Sequence, residues 1–170
     1  MKETMDQWEN ELSHLRMECG KYNLAGREIL DRYTDAELST IYNGAGPDSW
    51  KPIAREILTE LMKLFKPEIL LHDVQFEESD GTRETFDHVT DLWKRNCRKI
   101  FDSEYPLWTW KILKRSYRLE RAYWWGVMQA GNLAISGGAA FSAWQEAYER
   151  KEVPRIIQKM SSIGNNEENS

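Results

Sequence analysis

The sequence has few of the residues and patterns that mark several common protein classes. It contains only two cysteines, Cys19 and Cys97, which lie far apart and lack the spacing of metal ligands. We therefore expect free buried thiols, and not a disulfide framework or a zinc site. No stretch alternates apolar and polar residues as a half-buried strand does, and no segment repeats.

The chain also lacks a surplus of basic residues. Lys and Arg total 23 against 28 Asp and Glu, which gives a net charge of -5. Because a nucleic-acid-binding domain usually needs a basic surplus, we do not expect nucleic acid as a partner. The first residues, MKETMDQWENEL, contain no apolar signal-peptide segment, so we expect a cytoplasmic or virion-associated protein with possible peripheral membrane contact.

Apolar residues recur at helical spacing along most of the chain, which predicts an all-α fold. At 170 residues one domain with a substantial core is expected. We predict a compact helical domain over 1–160 with a central antiparallel helix pair, followed by a polar, disordered tail over 161–170. Helices are predicted over about 4–19 and 27–33, from 52 and from 67, and over 83–101, 105–134 and 138–151. The segment TDAEL, 34–38, is a candidate helix N-cap followed by acids in the first turn.

Two of these helices carry apolar stripes. The helix that begins near Pro52 has its stripe at Ile53, Ile57, Leu61 and Leu64. The helix over 83–101 has its inward stripe at Phe86, Val89, Trp93 and Ile100. Such a stripe indicates the side of a helix that packs against a neighbour.

A long uncharged segment, Ala122–Gln145, tests whether the chain crosses a membrane. The segment is long enough to span a bilayer. It nevertheless includes Gln129, Asn132 and four glycines, so its hydrophobicity is low for a spanning helix. We expect a buried helix or two shorter packed helices here, with an interruption near the glycines.

Two short motifs indicate possible chemistry. The loop YNGAGP contains Gly44 and Gly46, whose backbone freedom allows carbonyl oxygens to converge on a cation such as calcium. The later motif HDVQF places His72 beside Asp73, about 100° apart on a helix. A histidine can act as general base for a water, and calcium beside it can stabilise an oxyanion. The alternative is a buried structural histidine and an ordinary helix connection.

The YNGAGP loop and the HDVQF helix resemble the calcium loop and the His-Asp helix of the phospholipase A2 superfamily, particularly its short bacterial, fungal and virus-encoded branches. The resemblance covers about residues 42–101. It implies that His72 is the catalytic base and that Asp73 binds Ca²⁺. The other residues that it places in the site are Asn43, Gly44 and Gly46 in the calcium loop, Phe76 at the aromatic position and Asp91 as the residue that orients the histidine.

The sequence departs from the family pattern in three respects. Phe76 stands where the family usually has tyrosine, so a hydroxyl contact is lost. The family's disulfides are absent. Thr90 lies within the inward stripe of its helix, whereas Asp91 is one residue, about 100°, away from it. A missing orienting carboxylate would leave a weak enzyme or a calcium-free relative.

The C-terminal third combines basic and aromatic residues in KILKRSYRLERAYWW. If the whole stretch is one helix, its cations share one side, a pattern that suits a surface of anionic lipid. The alternative is an ordinary amphipathic helix with its aromatic residues packed inside. The expected lipid contacts are Trp50, Phe76, Lys111, Arg115, Arg118 and Trp124.

Two hypotheses follow. The first is a calcium-dependent phospholipid ester hydrolase in which His72 activates water. The second is a catalytically inactive relative that serves as a small helical structural or binding protein, for instance a phage virion or accessory component. A phospholipid surface is the expected partner in the first case, and a protein partner or a homo-oligomer in the second.

Overall fold

The computed structural model describes residues 2–42, 44–45 and 51–150, with the backbone alone for 2–9, 52 and 54. The described residues form helices joined by short turns, and no strand occurs among them. The all-α prediction is therefore confirmed. Asn43, Gly46 and Trp50, as well as the tail predicted over 161–170, lie outside the described residues.

Seven α-helices and three short 3₁₀ segments make up the described part of the chain. The α-helices are α1 Lys2–Lys21, α2 Asp35–Ile41, α3 Pro52–Leu61, α4 Lys66–Glu77, α5 Arg83–Glu104, α6 Arg115–Ser136 and α7 at 138–150. The 3₁₀ segments are Arg27–Arg32, Lys63–Phe65 and Trp110–Leu113. The predicted helices are found near these bounds, with three differences: the helix predicted over 27–33 is a 3₁₀ segment, the helix from Pro52 ends before the predicted stripe residue Leu64, and the region 105–114 is not α-helical.

Helix α2 begins at a capping box. The Thr34 side chain accepts a hydrogen bond from the Glu37 backbone N–H, and the Glu37 carboxylate accepts one from the Thr34 backbone N–H. Two backbone donors that have no partner within the helix are satisfied in this way. The sequence TDAEL thus sets the start of α2 by local chemistry.

Helices α4 and α5 form the central antiparallel pair. Glu68 of α4 lies beside Asn96 of α5. Four residues later on α4, the His72 ring contacts the ring of Trp93, which precedes Asn96 by three residues on α5. Residue numbers therefore rise along one helix and fall along the other. Trp144 of α7 packs on Phe76 of α4 and on Phe86 of α5 and covers the end of the pair near their connection.

The main apolar core surrounds α4. It joins side chains of α1, α2, α4, α5 and α6, and its fully buried members are Leu12, Cys19, Leu38, Phe65, Leu70, Leu71, Val74, Ile100 and Phe101. The predicted inward stripe of α5 is buried as expected. The predicted stripe of α3 is not: Ile53, Ile57 and Leu61 are all exposed.

The predicted helix from Tyr105 is wrong in its first ten residues. Residues 105–109 are irregular, 110–113 form a 3₁₀ turn, and α6 begins only at Arg115. Pro106 disfavours a helical conformation of the preceding Tyr105 and supplies no backbone N–H. Two side chains of α6 stabilise the irregular path, because Tyr117 donates its hydroxyl to the Pro106 carbonyl and Arg121 donates to the Tyr105 carbonyl, both at 2.9 Å.

The long uncharged segment is divided between two helices, which is one of the two alternatives expected for it. Helix α6 ends at Ser136, Gly137 interrupts it, and α7 begins at 138. No helix in the described part of the chain combines the length and the apolar character needed to cross a bilayer.

Candidate functional site

His72 and Asp73 lie next to each other near the middle of α4, and both side chains are partly exposed. The His72 Nδ1 atom is 4.0 Å from the Asp73 Oδ1 atom, which is too far for a hydrogen bond. The His72 ring meets the Trp93 ring edge-on, with the ring centroids 5.3 Å apart. The indole N–H of Trp93 donates to the Asn132 side chain of α6 at 3.1 Å.

Asp91 does not orient His72. The Asp91 side chain is 71% exposed and lies 3.9 Å from the Lys94 ammonium. No hydrogen bond or ion pair links it to His72. The physical reason is the rotation of α5: Trp93 and Thr90 occupy the buried side, so Asp91 points to solvent. The role that the resemblance gave to Asp91 is thus corrected.

Gly44, the described glycine of the predicted calcium loop, packs against α3. Its φ of +82° is in the left-handed region, and an added Cβ would lie 2.5 Å from the Thr59 hydroxyl oxygen. The same oxygen accepts a hydrogen bond from the Ala45 backbone N–H at 2.8 Å. A side chain at Gly44 would therefore be both strained and obstructed.

Tyr42, just before the loop, lies close enough to Asp73 to be influenced by its charge. Burial raises the pKa of the Tyr42 phenol, and the negative charges of Asp73 and Glu11 raise it further. The phenol is therefore neutral at physiological pH. Its hydroxyl is buried and has no hydrogen-bond partner within the described part of the chain.

The predicted calcium ligands are only partly among the described residues. Among them, no group of three or more His, Cys, Asp or Glu side chains is placed to hold a metal ion. Calcium prefers six to eight oxygen ligands. Asn43 and Gly46, two of the predicted ligands, lie outside the described ranges, so calcium binding stays a prediction.

Two aromatic residues expected to contact lipid pack against other rings within the protein. The Trp124 side chain is buried against Phe65, with ring centroids 6.2 Å apart in an edge-on arrangement. Phe76 is half-buried and packs edge-on against Trp144, with a centroid separation of 4.7 Å. The Trp124 ring thus belongs to the core, whereas a lipid contact of Phe76 stays a prediction.

Three other expected lipid contacts, Lys111, Arg115 and Arg118, lie on a single exposed segment. We call residues 107–118 the basic–aromatic segment; it contains four cations and no acidic residue. Trp108 is 98% exposed, and Trp110 and Leu113 are exposed as well. The cations Lys111, Lys114, Arg115 and Arg118 are all exposed.

The basic–aromatic segment has a defined conformation. The Thr109 hydroxyl accepts a hydrogen bond from the Lys111 backbone N–H and so caps the 3₁₀ turn. The Lys114 ammonium lies 4.5 Å from the centroid of the Trp110 ring, within cation–π range. The helical spacing of its residues did not indicate that this segment is not part of a continuous α-helix. The proline at 106 was the signal that could have done so.

A buried acid in the core also escaped the sequence analysis. The Glu68 side chain is fully buried, and neither carboxyl oxygen has a hydrogen bond of good geometry within the described residues. Burial raises the pKa of Glu68 well above its ordinary value; Asn96 and Lys99 oppose the shift in part. Burial also raises the pKa of the Cys19 thiol to about 12 and that of Cys97, with a further contribution from Glu68. In the sequence, Glu68 looks like one of the solvent-exposed acids that are common in the first turn of a helix.

A scan against protein-family models finds no match for this chain, and neither do searches of curated proteins and of solved structures. The resemblance to the phospholipase A2 superfamily therefore depends on the YNGAGP and HDVQF motifs alone.

Proposed function

We propose that the protein is a helical binding protein that attaches to anionic phospholipid surfaces through the basic–aromatic segment. The observation that carries the proposal is the nearly complete exposure of Trp108 beside four exposed cations. Indole rings favour the interface between water and lipid, and each cation within a Debye length of an anionic surface contributes about 1 kcal/mol.

The charge of the rest of the molecule also favours attachment through the basic–aromatic segment. The whole chain carries a net charge of -5, although the segment itself carries only positive side chains. An anionic bilayer attracts the segment and repels the acidic remainder of the surface. The same net charge disfavours nucleic acid as the partner.

Cosedimentation with vesicles tests the proposal. The protein is expected to pellet with vesicles of phosphatidylcholine and phosphatidylserine and to remain in solution with phosphatidylcholine alone. Lys111→Glu and Trp108→Ala should each reduce the bound fraction. Arg95→Glu, which makes the same kind of charge change on the exposed side of α5, should not. Equal binding by Lys111→Glu and Arg95→Glu would contradict the proposal.

Calcium-dependent ester hydrolysis is the second candidate. The observation that favours it is the adjacency of His72 and Asp73, with side chains 21% and 13% exposed, beside Tyr42 and the start of the glycine loop. The position of Asp91 weakens it. Fatty-acid release from the same vesicles, with calcium or a chelator and with His72→Gln as control, tests this candidate. Release that needs both calcium and His72 would establish catalysis, and vesicle binding without release would leave the binding function alone.

A further inference from the structure

Helix α6 has a second apolar stripe on the side that faces away from the core. The stripe consists of Leu119, Tyr123, Gly126, Ala130 and Leu133, all exposed and spaced alternately by four and three residues. Leu119 and Leu133 are 61% and 78% exposed. The opposite side of the helix, with Tyr117, Trp124, Met128 and Gly131, is buried. An alternating 4–3 spacing is the pattern of a helix that packs lengthwise on another helix.

The outer stripe of α6 matches itself in the antiparallel direction. Leu119 and Leu133 each lie seven residues from Gly126. With a two-fold axis at Gly126, Leu119 of one copy meets Leu133 of the other, and Tyr123 comes within one residue of the level of the small Ala130. Nothing lies within 4 Å of a Cβ added at Gly126, so two backbones can approach closely there. An isologous contact requires this kind of self-complementarity.

The charges of α6 favour the same arrangement. Its charged residues, Arg115, Arg118, Glu120 and Arg121, all precede residue 122, and no charged residue occurs over 122–136. A parallel pair would bring the arginines of both copies together. An antiparallel pair puts each charged half beside an uncharged half and also opposes the two helix dipoles.

Helix α3 extends this apolar surface on the Tyr123 side. A groove between α3 and α6 is lined by the apolar or aromatic residues Ile57, Leu61, Tyr123 and Trp124 and by the charged residues Glu60, Lys63 and Glu120. Ile53, Ile57 and Leu61 are exposed along α3. Scattered apolar side chains are common on monomers, whereas exposed apolar side chains grouped on two neighbouring helices, with charged side chains beside them, resemble the apolar centre and polar rim of an interface.

We infer that the chain forms a two-fold dimer in which the outer stripe of α6 packs antiparallel against the same stripe of a second copy, flanked by α3. This inference does not depend on lipid binding or catalysis. The partner is a second copy because the stripe matches itself in side-chain size, and because the charged end of each α6 then lies beside the uncharged end of the other.

Sedimentation equilibrium of the full chain measures the association. A monomer–dimer equilibrium is expected, and Leu133→Glu should raise the dimer dissociation constant by about a hundredfold or more, because each dimer would lose two buried leucines. Met17→Glu, at an exposed apolar residue of α1, should leave it unchanged. Circular dichroism verifies that both variants keep the helical fold.

Cysteine cross-linking determines the direction of the helices, since both native cysteines are buried. Gly126→Cys is expected to form a disulfide between copies. Leu119→Cys should not link to itself, because the two positions would be about 21 Å apart at 1.5 Å per residue, but it should link to Leu133→Cys. A wild-type chain that stays monomeric at all concentrations, or self-linking of Leu119→Cys, would overturn the inference. The inference would also be overturned if the chain stayed monomeric and its binding to vesicles depended on Leu133.

Discussion

Glu68 occupies the first turn of α4, where an acid usually faces solvent near the positive end of the helix dipole. Here the side chain is fully buried beside Asn96. The Asn96 side chain both donates to and accepts from the backbone of Ala25, at 3.0 and 2.8 Å. The carboxyl group is thus left in an apolar environment and favours its protonated form.

The raised pKa of Glu68 predicts that stability falls as pH rises. Above its ordinary pKa of about 4.3 the group ionises in the unfolded chain but stays protonated in the folded one, up to its folded pKa. Over that range Glu68 lowers the free energy of unfolding by about 1.4 kcal/mol per pH unit. Glu68→Gln removes this dependence, so its advantage over the wild type should grow as the pH rises above the ordinary pKa of a glutamate, until the folded pKa of Glu68 is reached.

Urea unfolding of wild type and Glu68→Gln at several pH values measures this difference. Other titrating groups are common to both chains, so they largely cancel in the comparison. Parallel stability profiles would show that Glu68 has no unusual pKa.

At Gly44, both the backbone conformation and the packing favour glycine. Gly44→Ala is expected to lower the free energy of unfolding by about 1–3 kcal/mol, because the residue has a positive φ and faces the Thr59 hydroxyl. Gly20→Ala in α1, where nothing lies within 4 Å of an added Cβ, should have no effect or a small stabilising one. Chemical denaturation compares the two, and equal effects would contradict the packing seen at Gly44.

At the scale of elements, α2 depends on its cap. The helix has seven residues, too few to be stable through helix propensity alone. Thr34→Ala removes the capping hydroxyl and should cost about 1 kcal/mol of unfolding free energy. Thr40→Ala removes a hydroxyl from the same helix that bonds only to the Glu37 carbonyl and should cost less. The same denaturation assay tests both, and an equal or larger loss in Thr40→Ala would argue against the capping box.

The central helix pair could be predicted from sequence because both of its helices carry strong local signals. Thr82 caps α5 by accepting a hydrogen bond from the Thr85 backbone N–H, and the inward stripe of α5 is buried as its spacing indicated. The same stripe gave the direction of Asp91, whose exposed position removes it from His72. The region 105–114 was mispredicted because helical spacing continues through it although Pro106 prevents a continuous helix.

At the scale of the whole molecule, the two surfaces described for α6 and its preceding segment differ in their physical character. The basic–aromatic segment is charged, whereas the outer stripe of α6 is uncharged and apolar. Salt screens interactions between exposed charges, with a Debye length of about 10 Å at 0.1 M and about 3 Å at 1 M. Apolar association is not weakened in this way.

Salt is therefore expected to separate the two interactions. Raising sodium chloride from about 0.1 M to about 1 M should release most of the protein from anionic vesicles, yet leave its dimer mass unchanged. Cosedimentation and sedimentation equilibrium in the same buffers measure the two quantities. Loss of the dimer together with lipid binding would show that charge contacts hold both.

The sequence by itself determined most of the helices, the central pair, the cap of α2 and the break near Gly137, because periodicity, capping and turn chemistry act between residues close together in the chain. Only the tertiary structure decided which apolar stripes are covered. It buried Trp124 and Glu68, left Trp108 in solvent and exposed the stripes of α3 and α6. A helix with apolar residues on more than one side has no local preference for which side faces the core. That choice depends on the neighbours that the whole fold brings to it.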